Sequence, residues 1–443
     1  MRDVLLAGTD VDCGGFVGSN IQSTMAQGLI TEADIDARLR NLFRVRFRLG
    51  HFDPEGPLQQ IPPSIICSPD HIAISHDGAA QGSTLIKNVQ GRLPLDASKA
   101  GKVAVIGPNA NLSRGIAGYY GPGRPCNADF WNMIDAVQQY ATGDNTMWSQ
   151  GCKDVLSNDT SLVDAAVQQA QSADTVVLVL GTDLQAAAEG HDAVSVAMSG
   201  CQVALAQRVA QAAKNPVVVV MLTAVPLDLT PILQNPKVGA ILHAGQVSVA
   251  TFGVADVLFG TKVPAGRTIQ TVYPASYANQ ISVWDFAMRP GPSPFPRPDC
   301  TSQPAQCPRG TNPGRTYRFY TGQAIVPFGF GLSYTTFKYT PINPPHQFSL
   351  QPVRDLLARA RSNGRSFPAL TDTVQDAAGY YVNVTNTGSV DADDVVLGFM
   401  VPPSAGTGGI PLKHLFGFER VHVPAGQTVT VTIYPTLLDF AQV

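Results

Sequence analysis

The chain has 443 residues, 44% of them apolar, with 30 Lys and Arg against 33 Asp and Glu. That length suits two to four domains. A formal charge of −3 leaves no basic field to draw a nucleic acid or an anionic membrane surface, and no run reaches the roughly 18 to 20 apolar residues that span a bilayer.

The chain opens on Leu5-Leu6-Ala7-Gly8-Thr9-Asp10, which reads as a short strand followed by an acidic, Gly-rich loop. The apolar run is too short for a secretory signal. Residues 31–49 form a helix: Thr31 with Asp34 resembles a capping box, acids fill the first turn, arginines at 44, 46 and 48 fill the last, and Gly50 stops it. A second helix starts at Ser68-Pro69 and runs through Ala80. His71 and His76 on it are five apart, so they do not share a face as an i, i+4 metal pair would, and 91–102 reads as a linker.

From 102 to about 273 the pattern is doubly wound. Apolar runs at 103–106, 176–180, 217–222 and 240–242 alternate with helical segments at 162–173, 201–214 and 250–259, which implies a mostly parallel sheet with right-handed crossovers. The turn Gly107-Pro108-Asn109-Ala110-Asn111 lacks the GxGxxG spacing of a dinucleotide site. The run 176–180 is apolar throughout, as a strand buried on both faces must be, and it leads into the loop that carries Asp183, Glu189 and Asp192. Loops at the carboxyl ends of parallel strands meet ligands, so Glu189 reads either as a carboxylate placed for chemistry or as one more solvated acid.

Residues 289–314 are rich in Pro, Gly and Ser and read as a surface excursion in which Cys300 and Cys307 could close a local disulfide. Seven cysteines are an odd number, and none of their spacings is that of a zinc site or a CxxC pair. Sequons at Asn111, Asn158 and Asn383 fit a glycosylated, secreted protein. Beyond residue 336, β-branched and aromatic runs at 380–385, 395–401 and 428–433 form the pattern of a small β-sandwich that stops short of a closing strand.

Seven motifs in order carry a family resemblance: Ala7-Gly8-Thr9-Asp10-Val11-Asp12-Cys13-Gly14; Gly28-Leu29-Ile30 with Ile35-Asp36; Leu49-Gly50-His51-Phe52-Asp53-Pro54; Ala104-Val105-Ile106-Gly107-Pro108-Asn109-Ala110; Pro264-Ala265-Gly266-Arg267; Gly314-Arg315-Thr316-Tyr317-Arg318-Phe319-Tyr320; and Pro327-Phe328-Gly329-Phe330-Gly331-Leu332-Ser333-Tyr334. Together they resemble glycoside hydrolase family 3, most of all its fungal and plant β-xylosidase branch. The resemblance implies a multidomain α/β plus β chain: the end of a TIM barrel (1–63), a helix and linker (64–101), an α/β sandwich (102–335) and a fibronectin type III-like domain (336–443), the last one incomplete. Most of a barrel of about 250 residues would then lie outside this sequence.

Retaining hydrolysis needs two carboxyl groups roughly 5 to 5.5 Å apart. The resemblance assigns the general acid/base to Glu189 in Glu189-Gly190-His191-Asp192, with Asp192 as a substrate-binding residue and Asp183 and Asp192 as rivals for the acid. It assigns the nucleophile to no residue of this chain, and treats Asp10 and Asp12 as structural loop acids. Ala187 and Ala193 stand where xylosidase relatives carry an acid and an arginine. The implied activity is exo-acting release of β-D-xylose from xylo-oligosaccharides without a cofactor, by a secreted parent protein that the isolated chain could not replace. The alternatives are α-L-arabinofuranosidase or β-glucosidase activity, or a non-catalytic carbohydrate-binding protein.

Overall fold

A computed structural model describes residues 1–112, 131–141, 145–247, 250–344, 349, 351–364, 379–436 and 439. The chain divides into two compact units, Met1–Ile66 and Cys67–Val443.

The first unit holds three α-helices, Arg2–Leu6, Phe16–Ala26 and Glu32–Arg48, and two short 3-10 turns, Pro57–Gln60 and Pro63–Ile65. The expected strand at its start is instead the end of a helix and a turn, because the backbone donors of Ala7 and Gly8 are taken locally by Asp3 and Leu5 carbonyls at 2.9 and 3.1 Å. A strand would have needed a partner, and the described residues of this unit contain no strand. The Glu32–Arg48 helix follows its capping signal: the Asp34 carboxylate accepts from the Thr31 backbone N–H at 2.8 Å, which holds its carboxyl below the usual carboxylate range. Both loop acids are hydrogen-bonded within this unit. Asp10 accepts from Arg38 at 3.2 Å and Asn41 at 3.1 Å, and Asp12 accepts from the Val17 N–H at 2.8 Å.

The second unit is built on a six-stranded sheet. Its strands are β1 (Thr84–Asn88), β2 (Val103–Ile106), β3 (Thr146–Ser149), β4 (Thr175–Gly181), β5 (Val217–Leu222) and β6 (Val238–His243), in the spatial order β1-β6-β5-β4-β2-β3. All neighbours are parallel except β1, which runs antiparallel to β6 at one edge. Segment 64–101, read from the sequence as a helix and linker, thus supplies the edge strand, and its Ala80, Leu93 and Leu95 are buried in the same core as Val254 and Val257. The pleat sorts the buried strands between two cores. Ile106, Leu178, Leu180, Val219 and Met221 face helices Val163–Ser172 and Gly200–Ala212, whereas Val105, Val177, Val179, Val218 and Val220 face helices Pro69–Gly82, Met133–Gln138 and Thr251–Leu258.

A disulfide joins Cys152, in the loop after β3, to Cys201 in the first turn of helix Gly200–Ala212, closing a sequence separation of 49. Both cysteines are wholly buried. Replacing the pair by alanine is expected to cost about 2–4 kcal/mol of the unfolding free energy in urea titration, because the bridge restricts the unfolded chain; a change below about 1 kcal/mol would refute that account. The local Cys300–Cys307 disulfide also forms, beside an antiparallel ribbon of β7 (Gly291–Pro296) and β8 (Arg309–Asn312). Cys13 is free and exposed, Cys67 is disulfide-bonded, and Cys126 lies outside the described residues.

Beyond the ribbon, β9 (Phe337–Ile342), β10 (Tyr380–Asn386), β11 (Ala392–Met400), β12 (His414–Val423) and β13 (Thr428–Ile433) make a β-sandwich, with sheet β13-β10-β9 facing sheet β11-β12 across Val384, Val396, Val423, Val431 and Ile433. Helix Gln351–Ser362 lies between β9 and β10 in the chain.

The two sandwiches are held together by the motifs that carried the resemblance. Arg267 donates to the Gly331 carbonyl at 2.5 Å and pairs with Asp394 on β11, and Tyr339 on β9 donates to the same carboxylate. Burial first, and then Asp394, push the Tyr339 hydroxyl pKa far up, so it stays a donor. Gly331 is required by close approach, since a Cβ there would lie 2.3 Å from the Gly266 carbonyl oxygen. Tyr317 stacks on Phe328 with centroids 4.2 Å apart and accepts from the Leu415 N–H on β12 at 3.2 Å.

Candidate active site

The parallel strands place their carboxyl ends on one edge of the sheet, and the loop that leaves β4 there, 182–199, carries Glu189. Its base is fixed by buried polar contacts. Gly181, with φ +147°, passes so close to β5 that a Cβ would lie 1.9 Å from the Leu222 carbonyl oxygen. The Gln202 side chain accepts from the Gly181 N–H at 2.9 Å and donates to its carbonyl at 2.9 Å. The Thr182 and Thr223 hydroxyls are hydrogen-bonded at 2.7 Å, and Asn109, from the loop after β2, donates to the Thr182 carbonyl at 3.0 Å. Neighbouring strand ends are therefore tied to one another where the loop begins, as a site that must hold a side chain in place requires.

Midway along, the loop makes a tight turn. Ala188 and His191 exchange backbone hydrogen bonds, each at 2.9 Å, so Glu189 and Gly190 occupy the tip. Gly190 has φ +73°, which the third position of a type II turn demands and a side chain resists. The sequence Glu-Gly thus presents the carboxylate at an exposed corner of a locally braced loop. His191 braces it further, with its Nε2 3.1 Å from the Gln185 carbonyl.

The rival acids sit differently. The Asp183 carboxylate accepts from the Gln185 N–H at 2.9 Å and so serves the loop itself. Asp192 is exposed one residue past the turn. Asp228, between β5 and β6, accepts from the backbone N–H groups of Thr230 and Ala275, both at 2.8 Å. Of these four, Glu189 alone stands at the tip of a turn. A single carboxyl group can give and take a proton, but retaining glycoside chemistry asks for a second one across the bond.

Among the described residues no group of three or more His, Cys, Asp or Glu could hold a metal ion, and no helix is long and apolar enough to cross a membrane. His243, at the carboxyl end of β6, is pushed below its ordinary pKa by burial. It lines a concavity of about 510 Å³ between the two sandwiches, whose described lining includes Phe328, Leu397 and Phe418 but no carboxylate.

The sequons fall on different backgrounds. Asn111 is exposed and its Oδ1 accepts from Asn132 at 2.8 Å; its Ser113 lies outside the described residues. Asn158 is exposed, with its Oδ1 accepting from the Gly200 N–H at 2.8 Å. Asn383 is half-buried on β10, where its Oδ1 accepts from Thr430 at 2.8 Å.

Comparison with known proteins places these features in context. Residues 83–334 match the model of the glycosyl hydrolase family 3 C-terminal domain. Over 443 aligned residues the chain is 34% identical to Beta-D-xylosidase 1 of Arabidopsis thaliana, covering 96% of this chain and 53% of that protein. It is 33% identical to Beta-xylosidase/alpha-L-arabinofuranosidase 2 of Medicago sativa subsp. varia, over 94% of this chain and 51% of the relative. A probable exo-1,4-beta-xylosidase of Aspergillus fumigatus is 34% identical, over 99% and 52%. Among solved structures, a GH3 exo-beta-xylosidase in complex with a xylobiose aziridine activity based probe superposes with a TM-score of 0.81 and 26% identity, covering all of this chain and 53% of that one. A beta-glucosidase from Listeria innocua shares the fold, with a TM-score of 0.72 and 19% identity, over 98% of this chain and 55% of its own. The chain spans about half the length of the curated relatives it matches.

Proposed function

The chain belongs to glycosyl hydrolase family 3, and we propose that it forms part of an exo-acting, retaining enzyme that releases β-D-xylose from the non-reducing ends of xylo-oligosaccharides. The observation that carries this reading is the placement of Glu189: exposed, at the tip of a braced turn, on a loop leaving the carboxyl edge of a buried parallel sheet. In this reading Glu189 protonates the departing oxygen and then activates water, and Asp192 helps to hold the sugar. No residue of the chain matches the family's nucleophile motif, so the nucleophile is supplied from outside these 443 residues. The likeness to beta-xylosidases over nearly the whole chain supports the substrate class.

The finer assignments belong to the same proposal. The helical unit 1–66 is read as the end of a barrel, the β-sandwich as fibronectin type III-like, and Asn111, Asn158 and Asn383 as glycan acceptors on a secreted protein. The name of the Medicago relative favours one second reading, α-L-arabinofuranosidase activity.

A substrate panel tests the proposal. The natural protein that carries this chain is expected to release xylose from xylobiose and xylotriose, with the first product in the β configuration by proton NMR. Faster release of arabinose from arabinofuranosides would select the second reading, and α-xylose as first product would refute retention. The purified 443 residues alone are expected to hydrolyse neither; Glu189-dependent turnover by them would overturn the assignment of the nucleophile elsewhere.

A further inference from the structure

Where the α/β sandwich meets the β-sandwich, a cavity of about 310 Å³ opens beside the Arg267–Asp394 pair. Arg267 and Pro264 line it from one side, and Leu332, Ser333, Tyr339 and Asp394 from the others. None of its described lining residues comes from the loop 182–199 that carries Glu189. The volume lies at the lower end of the range that small-molecule sites occupy.

Two buried polar atoms on this cavity have no hydrogen-bond partner among the described residues, the Arg267 Nε and the Ser333 hydroxyl. Buried donors are nearly always answered, so two that border one cavity ask for acceptors inside it. Ser333 is not free to turn elsewhere. On one side of it the Leu332 N–H donates to the Leu85 carbonyl at 2.8 Å, and on the other the Tyr334 hydroxyl donates to the Val257 carbonyl at 2.6 Å. Asp394, whose side chain is almost wholly buried, offers the matching acceptors: Arg267 meets one carboxylate oxygen and the Tyr339 hydroxyl the other, and each oxygen keeps a lone pair. The half-exposed Tyr339 ring and Leu332 supply apolar surface.

This set of groups selects a ligand class. An anion would face Asp394 and a cation would face Arg267, and since the two charges neutralise each other neither sign is favoured. A hydrocarbon would leave the Nε and the hydroxyl unanswered. Vicinal hydroxyls on a sugar ring both accept and donate, and the C–H face of the ring lies well on an aromatic side chain. We propose that the junction cavity is a binding site for a single neutral monosaccharide, which accepts from Arg267 and Ser333, donates to Asp394 and rests on the Tyr339 ring. Such a ligand touches both sandwiches at once, so its binding adds to the stability of the junction. The site stands apart from Glu189 and does not depend on the reaction assigned to that residue.

The test is calorimetric titration of the 443-residue chain with D-xylose and with D-glucose, alongside thermal unfolding in the presence of each. At least one sugar is expected to bind saturably and to raise the Tm. Ser333→Ala removes an oxygen that bonds to nothing, so it should leave the Tm without sugar unchanged or slightly higher, yet weaken sugar binding about fivefold or more. Leu332→Trp, which fills the cavity from a partly exposed position, should abolish binding. Glu189→Gln should change neither binding nor Tm. Circular dichroism checks that the variants fold. Absence of saturable binding by both sugars, parent-like binding by both cavity variants, or loss of binding in Glu189→Gln would overturn the site. So would sulfate raising the Tm as the sugar does and losing that effect in Ser333→Ala, because the cavity would then be an anion site.

Discussion

Arg267→Ala is expected to lower the unfolding free energy of the chain by about 3–5 kcal/mol, the cost of breaking a buried ion pair from one side. The argument starts from burial. The Asp394 side chain is 3% exposed and that of Arg267 21%, so removing the guanidinium leaves a carboxylate with almost no water and, among the described residues, only the Tyr339 hydroxyl to answer it. The Gly331 carbonyl loses its donor at the same stroke. Against this, the intact pair is a modest asset, because two charges have been desolvated and the Arg267 Nε finds no partner among the described residues. Arg267→Met combined with Asp394→Leu should therefore cost much less than Arg267→Ala alone. Urea titration of the three chains decides it: a loss below about 1 kcal/mol for the single variant, or a double variant worse than the single, would mean that the pair does not clamp the sandwiches.

That pair shows what the sequence could and could not disclose. Pro264-Ala265-Gly266-Arg267 and the motif around Gly331 were legible as family markers, but their job, to join the α/β sandwich to β9 and β11, depends on Asp394, 127 positions further on. The apolar runs of β2, β4, β5 and β6 were legible because a strand covered on both faces has no choice of residue type. β3 was not, since Thr146–Ser149 is four residues long and only partly buried, and β1 was hidden by the polar Thr84, Lys87 and Asn88 at its ends. The start of the chain misled for a different reason: a four-residue apolar run such as Val4-Leu5-Leu6-Ala7 has no period of its own, and local hydrogen bonds settle it as helix. Cys152 and Cys201 lie too far apart in sequence for any spacing rule, whereas Cys300 and Cys307 flank a loop that advertised their pairing.

The candidate site was legible as a loop after a buried strand, and Glu189 was named from it. The bracing was not. Gly190 at positive φ, the Ala188 and His191 exchange and the Gln202 contacts to Gly181 all depend on where the backbone goes.

Glu189→Gln, introduced into the natural protein that carries this chain, is expected to lower turnover of xylobiose by roughly 10²- to 10⁴-fold, the usual worth of a positioned acid or base. The replacement keeps size and polarity, so the turn that displays residue 189 should survive; what is lost is the proton. Departure of a sugar alkoxide depends on that proton. Departure of a nitrophenolate does not, so the first step on an activated aryl xyloside should be nearly unaffected, and the covalent glycosyl intermediate should then accumulate because no base remains to activate water. Three signatures follow from that one change. The loss should be far greater on xylobiose than on the aryl xyloside, the aryl substrate should show a burst, and azide, a nucleophile that needs no base, should restore turnover and yield a β-xylosyl azide. Asp192→Asn, which leaves the acid in place, should show none of the three. An equal loss on both substrates with no azide effect would mean that Glu189 holds the loop or the sugar instead, and the acid would then have to be sought at Asp183 or Asp192. Of those two, Asp183 is already bonded within the loop at 2.9 Å, whereas Asp192 is exposed one residue past the turn, so Asp192 would be the first to try.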